Sequence, residues 1–566
     1  MNSQRDADLL RAPRADESLK ITERGQQLIR DPILNKGSAF TDQERRQLGL
    51  DGLLPARVNQ MSQQQKRVRK ALARLTEPLN RYIELAALAG RNEQLFYRVL
   101  VDDLETLMPI VYTPTVGLAT RRFSHLFRGG RGVWITPAHR GRIAEVLASA
   151  TQGRPVKLIV ATDNESILGI GDQGAGGIAI SAGKLALYCA AGGIYPAYTL
   201  PVSLDVGTNN VQLLEDELYV GWQERRLRGE AYDSLIEEFV EAVKSVFPGA
   251  LLQWEDFRKD NAARLLKRYR DRLPSFNDDI QGTGAVVLAG VLAAMRRTES
   301  DLGQQRVVVL GAGAAGLGIA QQLDVAIRNA GGPKHAIAVL DSRGLLVENN
   351  VHDAYKAELA WPEARAAEFD LSGEEGLKAV VEKFQPTVLI GASGQAGVFT
   401  EGVVRAMASA CERPLIMPLS NPTDQAEGRP EEILRWSDGR AQVATGSPFA
   451  DVELDGKTYR IGQGNNVFIF PGLGLGALLS RASVVTDGMI AAAANALAEA
   501  IRAESLEEGR LYPRVSRLRE CSGRVAVAVM QAASEEGVGD KLDPEETTRR
   551  LNAARWDPAY PPYQAA

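Results

Sequence analysis

Two adjacent acidic pairs, Glu255-Asp256 after Gln253-Trp254 and Asp278-Asp279 inside the run Ser275 to Thr283, are the residues of this chain best suited to holding a metal ion. Clustered carboxylates demand a counter-charge. A hard divalent cation, Mg²⁺ or Mn²⁺, matches three carboxylate oxygens plus substrate and water oxygens, with no need of His or Cys. Neighbouring residues on a regular strand face opposite sides, so if three of these acids share one ion, at least one pair lies at a strand end or in a loop. A solvated acidic surface is the competing reading, set against the apolar neighbours Trp254, Phe257, Phe276 and Ile280. Beside a metal, two more groups matter. Tyr112 sits in the proline-stiffened turn Met108 to Thr115, and Lys184 in Gly183-Lys184-Leu185 stands at an expected helix start among apolar residues. A lysine desolvated near a cation can act as a base, and a tyrosine can return the proton. Taken singly, each is more often a structural residue, a buried hydroxyl with a partner or a lysine stem over a core.

A second signal concerns phosphate. The apolar run Val307 to Leu310 leads into Gly311-Ala312-Gly313-Ala314-Ala315-Gly316, and a second run, Ala336 to Leu340, ends at Asp341. This is the pattern of a dinucleotide-binding βαβ unit, in which glycines permit a tight turn, close backbone approach to pyrophosphate and close helix packing. An acid at the end of the second strand accepts from a ribose 2′-hydroxyl, which favours NAD; Arg343 keeps NADP open. The turn Gly391 to Gly397, with Gly394 at its centre, follows the apolar run Thr387 to Ile390 and either lines the cofactor or is a plain strand-to-helix loop.

The elements that position these residues change along the chain. Up to about Arg122 the pattern is helical, as in Gln63 to Leu75 and Leu79 to Leu88. From Lys157 short apolar runs appear, Leu158 to Ala161 and Ile167 to Ile170, followed by a helix-like Lys184 to Cys189. After Asn277 strands and helices alternate, which predicts a parallel sheet with helices on both faces, and helical sequence returns from Ala477, most clearly at Asp487 to Ala503. The division expected is a helical domain over 1–122, a catalytic α/β domain over 123–276 completed by 467–535, a nucleotide domain over 277–466, and a tail over 536–566.

Composition narrows the partners. With 566 residues, Lys+Arg 66 against Asp+Glu 71 and a net charge of -5, the chain lacks the broad basic field that would hold nucleic acid. The apolar stretch Ala285 to Met295 ends at Arg296-Arg297, too short for a bilayer span. Arg5, Asp6 and Asp8 interrupt the N-terminus, which fits neither a secretory signal nor a transit peptide. The three cysteines, Cys189, Cys411 and Cys521, are widely spaced, and the four histidines, His125, His139, His335 and His352, form no ligand-spaced pair. A reducing, cytoplasmic location without disulfides or structural zinc is expected.

Together these residues resemble the malic enzyme family over nearly the whole chain. The stretches that carry the likeness are Leu34 to Phe40, the Tyr112 turn, Gly183-Lys184-Leu185, Asp205 to Asn210, Glu255-Asp256-Phe257, Phe276 to Thr283, Ser420 to Thr423 and Gly462 to Asn466. The resemblance implies an α/β fold with a helical N-terminal region, a mixed α/β catalytic domain and a Rossmann-like NAD-binding domain with a parallel sheet. It implies Glu255, Asp256 and Asp279 as ligands of Mg²⁺ or Mn²⁺, Lys184 as general base, Tyr112 as general acid and Asp278 as a support for Lys184. Gly311, Gly313, Gly316, Asp341, Gly394 and Asn421 would bind NAD, while Asn421, Asn465, Asn466 and the position of Ser166 would meet a small-molecule substrate. The activity implied is oxidative decarboxylation of malate, or a malate-like 2-hydroxy dicarboxylate, to a 2-keto acid, by a homodimer or homotetramer.

Two features depart from the family. Ser166 stands where an arginine usually clamps a substrate carboxylate, and Ile180 to Gly183 lacks the proline that commonly precedes the lysine segment. Losing a bidentate cation forfeits about 1.5 to 3 kcal/mol, roughly ten- to a hundredfold in binding. Two changes in one pocket point to altered substrate choice. The related malolactic enzymes also lack that arginine and share the style of Tyr459 to Asn466, which makes conversion of malate to lactate the alternative; Thr113 after Tyr112 favours the oxidative reading. A catalytically silent NAD-binding regulator is the least favoured class, because the metal acids and the Lys-Tyr pair are all present.

Overall fold

A computed structural model describes residues 10–566 except 130 and 352. Arg5, Asp6, Asp8 and His352, considered above, lie outside the described residues. The chain forms two compact units. One runs up to Glu255 and takes in Leu478–Ala482 and Lys541–Ala566; the other is Asp256–Ala477 with Ser483–Asp540.

In the first unit, the strand β1 (Leu19–Ile21) precedes a series of helices that includes Met61–Leu72, Pro78–Ala89, Glu93–Asp102 and Leu104–Val111. Four parallel strands follow, β2 (Val133–Ile135), β3 (Leu158–Thr162), β4 (Thr199–Leu204) and β5 (Leu251–Trp254), with β4 beside β2 and β3 between β4 and β5. Every residue of β3, β4 and β5 is buried, as parallel strands covered on both faces require. The helix Ile178–Leu187 is buried at every position but Ala182, and the longer apolar stretch Gly174–Gly192 is 94% buried inside the protein.

After the helix Lys259–Tyr269 and β6 (Ser275–Asn277), the second unit builds a seven-stranded sheet from β7 (Val307–Leu310), β8 (Ile337–Asp341), β9 (Gly344–Leu345), β10 (Val388–Gly391), β11 (Leu415–Pro418), β12 (Gln442–Thr445) and, after the hairpin β13 (Val452–Leu454) and β14 (Lys457–Tyr459), β15 (Gly462–Gln463). Its order is β15-β12-β11-β10-β7-β8-β9, parallel except for the β8–β9 pair. The chain steps from β7 to β8 on one side and later returns to β10 on the other. The point where the order reverses, between β7 and β10, is where an open α/β sheet leaves a crevice at its carboxyl edge.

Several expectations change. The helices before residue 122 do not form a unit of their own, because Gly183 lets the helix Ile178–Leu187 lie close against Val111: a Cβ there would come within 2.9 Å of the Val111 carbonyl oxygen. Residues 483–540 do not complete the first unit, because the helix Asp487–Glu499 packs on Thr283–Thr298 and on Leu518–Glu535 of the second. Lys184 lies near the end of its helix rather than at the start, since Ile178 to Gly183 already continue the turn. The apolar run Ile167 to Ile170 forms a 3-10 turn with Leu168 at φ 43°.

The segment 555–562 is irregular yet anchored. Trp556 packs between Tyr97 and Tyr195, with ring centroids at 5.4 Å and 5.5 Å, and β16 (Tyr563–Ala565) pairs in parallel with β1. Beneath it the buried Lys36 ammonium contacts the Glu44 carboxylate at 2.5 Å, donates to the Pro561 carbonyl and sits 3.8 Å from the Tyr563 ring centroid. Glu44 also accepts from the backbone N–H groups of Tyr563 and Thr41. The Leu34 to Phe40 stretch therefore has a structural use, locking the C-terminal strand. Lys36→Ala strands a buried carboxylate and is expected to cost about 3 kcal/mol in denaturant unfolding. A loss below about 1 kcal/mol would mean the pair does not hold the tail.

Candidate active site

Tyr112, Lys184 and Glu255 come together in the first unit. Tyr112 caps the helix Leu104–Val111 and leads into the cis Thr113–Pro114 bond. Gly183 fits against the Val111 carbonyl just before Tyr112, and the Lys184 ammonium lies 5.5 Å from the Tyr112 ring centroid. Lys184 itself is 1% exposed, and its Nζ contacts Glu255 Oε1 at 2.8 Å. The other Glu255 oxygen accepts from Gln253 Nε2 at 2.7 Å, and Gln253 in turn accepts from the Tyr188 hydroxyl. Gln253 and Glu255 face one side because side chains alternate along an extended chain, and the Glu255 N–H extends the β5–β3 ladder to Ala161. Sequence reasoning missed Gln253 and Tyr188. The alternation of Gln253 with Glu255 was the one available signal.

Glu255 closes the first unit and Asp256 opens the second. Asp256 takes a left-handed backbone, φ 55°, uncommon for a non-glycine residue, and its N–H donates to Asp279 Oδ2 at 2.8 Å. That kink brings one carboxylate oxygen from each of Glu255, Asp256 and Asp279 within 4.8 Å of the others. Both acidic pairs do lie at strand ends, after β5 and after β6. Three carboxylates without nitrogen or sulfur are the donor set that Mg²⁺ or Mn²⁺ prefers, so these residues fit the implied ion.

Adjacent Asp278 is held through Asn466. The turn Asp278–Gly282 is capped by Asn277, whose side chain accepts from the Ile280 N–H. Asp278 is fully buried and its Oδ2 accepts from Asn466 Nδ2 at 2.9 Å; the same NH₂ contacts Thr283 Oγ1 at 3.0 Å. A Cβ at Gly282 would sit 2.0 Å from Asp278 Oδ1, and one at Gly318 only 1.9 Å from the Ile280 carbonyl oxygen. Glycine at 318 thus seats the helix Ala314–Asn329 directly against the turn that carries Asp279. Sequence reasoning had passed over it, although Gly316-Leu317-Gly318 extends the glycine run.

The same helix starts at the Gly311 turn. Gly311 has φ 117°, and a Cβ there would meet the Ala392 carbonyl at 2.2 Å; a Cβ at Gly316 would meet the Gly311 carbonyl at 1.7 Å. Around Gly313 a Cβ would find nothing within 4 Å. Two glycines are fixed by packing, and the middle one leaves room for a ligand. Asp341 at the end of β8 contacts Lys356 Nζ at 2.6 Å and accepts from the Arg343 N–H. Burial alone would raise its pKa, but these donors hold it below the usual carboxylate range. Lys356, unforeseen in the sequence, thus partly balances the charge expected to face a ribose.

Asn421, before the cis Asn421–Pro422 bond, accepts from the Ser447 hydroxyl at 2.6 Å through Oδ1, which leaves its NH₂ to donate. Asn465 caps the turn Asn466–Phe468 through its own Oδ1 and likewise keeps its NH₂. Asn466 is the reverse, its NH₂ engaged by Asp278 and Thr283. Gly394 donates its N–H to Ser420 Oγ.

Ser166 is half-buried in the loop 163–173, which two arginines hold. Arg226, with no exposed side-chain surface, makes hydrogen bonds of 2.9 and 3.0 Å to Asp172 and donates to the Asp163 carbonyl. Burial would raise the Asp172 pKa; Arg226 and backbone donors overcome it and keep it low. Arg228 grips Glu165, one contact at 2.6 Å. Thr208, Asn209 and Asn210 bond Asp172 from the other side, which accounts for the Asp205 to Asn210 stretch. Both guanidinium groups are committed to the loop, so neither replaces the arginine absent at position 166.

Residues 89–270 match the family model described as malic enzyme, N-terminal domain, and residues 280–534 that of malic enzyme, NAD binding domain. The chain is 46% identical over 553 residues to the NAD-dependent malic enzyme of Sodalis glossinidius, covering 96% of this chain and 98% of that one. It is 45% identical over 560 residues to the NAD-dependent malic enzyme of Pseudomonas aeruginosa, covering 97% and 99%. Among solved structures, Entamoeba histolytica malic enzyme has the same fold, with a TM-score of 0.55 at 22% identity over 90% of this chain and 91% of that one. Matches to both family models, and close relatives matching end to end, establish that this chain belongs to the malic enzyme family.

Proposed function

We propose that the protein oxidatively decarboxylates (S)-malate to pyruvate and CO₂ with reduction of NAD⁺. The observation that carries this is Lys184 lying over Tyr112 while paired to Glu255, one of the three clustered carboxylates. The relatives at 45–46% identity, each named NAD-dependent malic enzyme, support the oxidative reaction over the malolactic one.

Glu255, Asp256 and Asp279 would hold a divalent cation, which when bound supplies Lewis acidity toward the hydroxyl and carboxylate oxygens of the substrate, as NAD⁺ supplies the hydride acceptor. Lys184 Nζ takes the C2 hydroxyl proton as hydride leaves C2. After the β-carboxylate leaves as CO₂, Tyr112 Oη returns a proton to C3. Asn421 and Asn465, whose NH₂ groups remain free to donate, bind substrate carboxylates. Asn466 instead supports Asp278 and the turn bearing Asp279. Burial of Lys184 and its tie to Glu255 keep the amine fixed and water away from it. The free cysteines support a reducing cytoplasm, and the family resemblance supports a homodimer or homotetramer.

Protein, Mn²⁺, NAD⁺ and malate should give reduced cofactor and pyruvate in equal amounts; lactate without net reduction would replace this reading with the malolactic one. Asp279→Asn should weaken Mn²⁺ binding, measured by calorimetric titration, at least about tenfold while leaving NADH binding intact. Equal Mn²⁺ affinity in the two proteins would remove Asp279 from the metal set. Ser166→Arg should raise kcat/KM for malate by roughly tenfold or more, and a decrease would refute the account of that position.

A further inference from the structure

Glu427 is completely buried, and no part of the reaction above uses it. It follows β11, and four neutral donors converge on its carboxylate. One oxygen accepts from the Ser393 N–H at 2.7 Å, the Ser393 hydroxyl at 2.9 Å and the Ser420 hydroxyl at 2.5 Å; the other accepts from the Ser420 N–H at 3.2 Å. Ser420 Oγ also accepts from the Gly394 N–H at 2.8 Å, so the chain of bonds runs Gly394 to Ser420 to Glu427. Only a glycine at 391 leaves room for it, since a Cβ there would lie 2.5 Å from Glu427 Cγ. These contacts join the turns after β10 and β11. The first of them touches the phosphate turn, because Gly311 packs on Ala392 and the Ser393 nitrogen; the second carries Asn421.

We propose that Glu427 is a positioning residue of the dinucleotide crevice: its carboxylate sets the Gly391 to Gly397 turn and the Ser420 to Pro422 turn in the register that NAD binding requires. The proposal rests on reading the Gly311 turn as the NAD site. A carboxylate suits the task because it is purely an acceptor, with about four lone-pair sites for four donors. A glutamine of the same shape would turn an NH₂ either toward the Ser420 N–H or toward the other three donors, opposing donor with donor. Aspartate, one methylene shorter, would not reach both turns.

The test is NADH titration by fluorescence, with KM for NAD⁺ and for malate measured in parallel on the full chain. Glu427→Gln should raise the NADH Kd and the KM for NAD⁺ about tenfold or more, the scale of a lost charge-assisted bond, with a smaller rise in malate KM because the Ser420 to Pro422 turn also carries Asn421. Ser393→Ala and Ser420→Ala should each give a smaller rise, about threefold, and Ser420→Ala should add almost nothing on top of Glu427→Gln, because the two share one network. A fall in melting temperature with unchanged NADH Kd would show a merely structural residue and overturn the proposal. Should Glu427→Gln fail to fold, the serine variants decide: unchanged NADH Kd in both overturns it. Failure of the wild-type protein itself to bind NADH would instead overturn the reading of the Gly311 turn.

Discussion

Three carboxylates with oxygens within 4.8 Å of one another, two of those residues buried, repel strongly where water is scarce. The fold has to hold them there against that repulsion, and each is restrained separately. Glu255 is gripped on one oxygen by Lys184 and on the other by Gln253. Asp279 accepts from the Asp256 N–H, and that bond needs Asp256 in a left-handed conformation. An off-diagonal backbone costs of order 1 kcal/mol or more and persists only where the surroundings over-determine it. Here the hydrogen bond and the end of β5 do so.

Absent side chains matter as much as present ones. Gly183 brings the lysine helix against the tyrosine turn; Gly318 brings the dinucleotide helix against the turn 278–282; Gly311 joins the two turns at the carboxyl edge of the sheet. Each is a place where one methyl group would separate elements by tenths of an ångström or more. In a close-packed interior such a shift is passed on to neighbouring groups. The turn carrying Asp279 and the turn that starts the Gly313 helix are therefore coupled through one rigid helix, Ala314–Asn329.

What the sequence disclosed follows from this. Strands such as β7 and β10 were legible because parallel strands buried on both faces are continuous apolar runs, and the site acids because unlike residue types cluster in short motifs. The Lys184 helix start was misjudged because no proline or capping residue marks Ile178 in that uniformly apolar segment. The apolar run Ile167 to Ile170 imitated a strand although Leu168 turns back. Pairings distant in sequence were illegible in principle: Lys356 with Asp341, Gln253 with Tyr188, and the lock of Lys36 on the tail across more than 500 residues. Adjacent Asp278 and Asp279 looked equivalent, yet neighbours at the start of a helical turn point about 100° apart, and one faces Asn466 while the other joins the acidic cluster.

Ser166 gains meaning from its surroundings. The loop 163–173 contains three carboxylates: Asp172 pairs with Arg226, Glu165 with Arg228, and buried Asp163, its pKa raised by burial, accepts from the Tyr232 hydroxyl. An arginine at 166 would add a third guanidinium at this loop, and a dianionic substrate would supply a carboxylate to meet it. A serine removes the demand. In the reaction proposed above, recognition of the substrate's carboxylates would then fall on a cation held by Glu255, Asp256 and Asp279 and on neutral amides such as Asn421 and Asn465, whose directional hydrogen bonds discriminate by geometry more than by charge. A pocket of that kind gives up affinity for a dianion as such and becomes more tolerant of a substrate in which one carboxylate is altered.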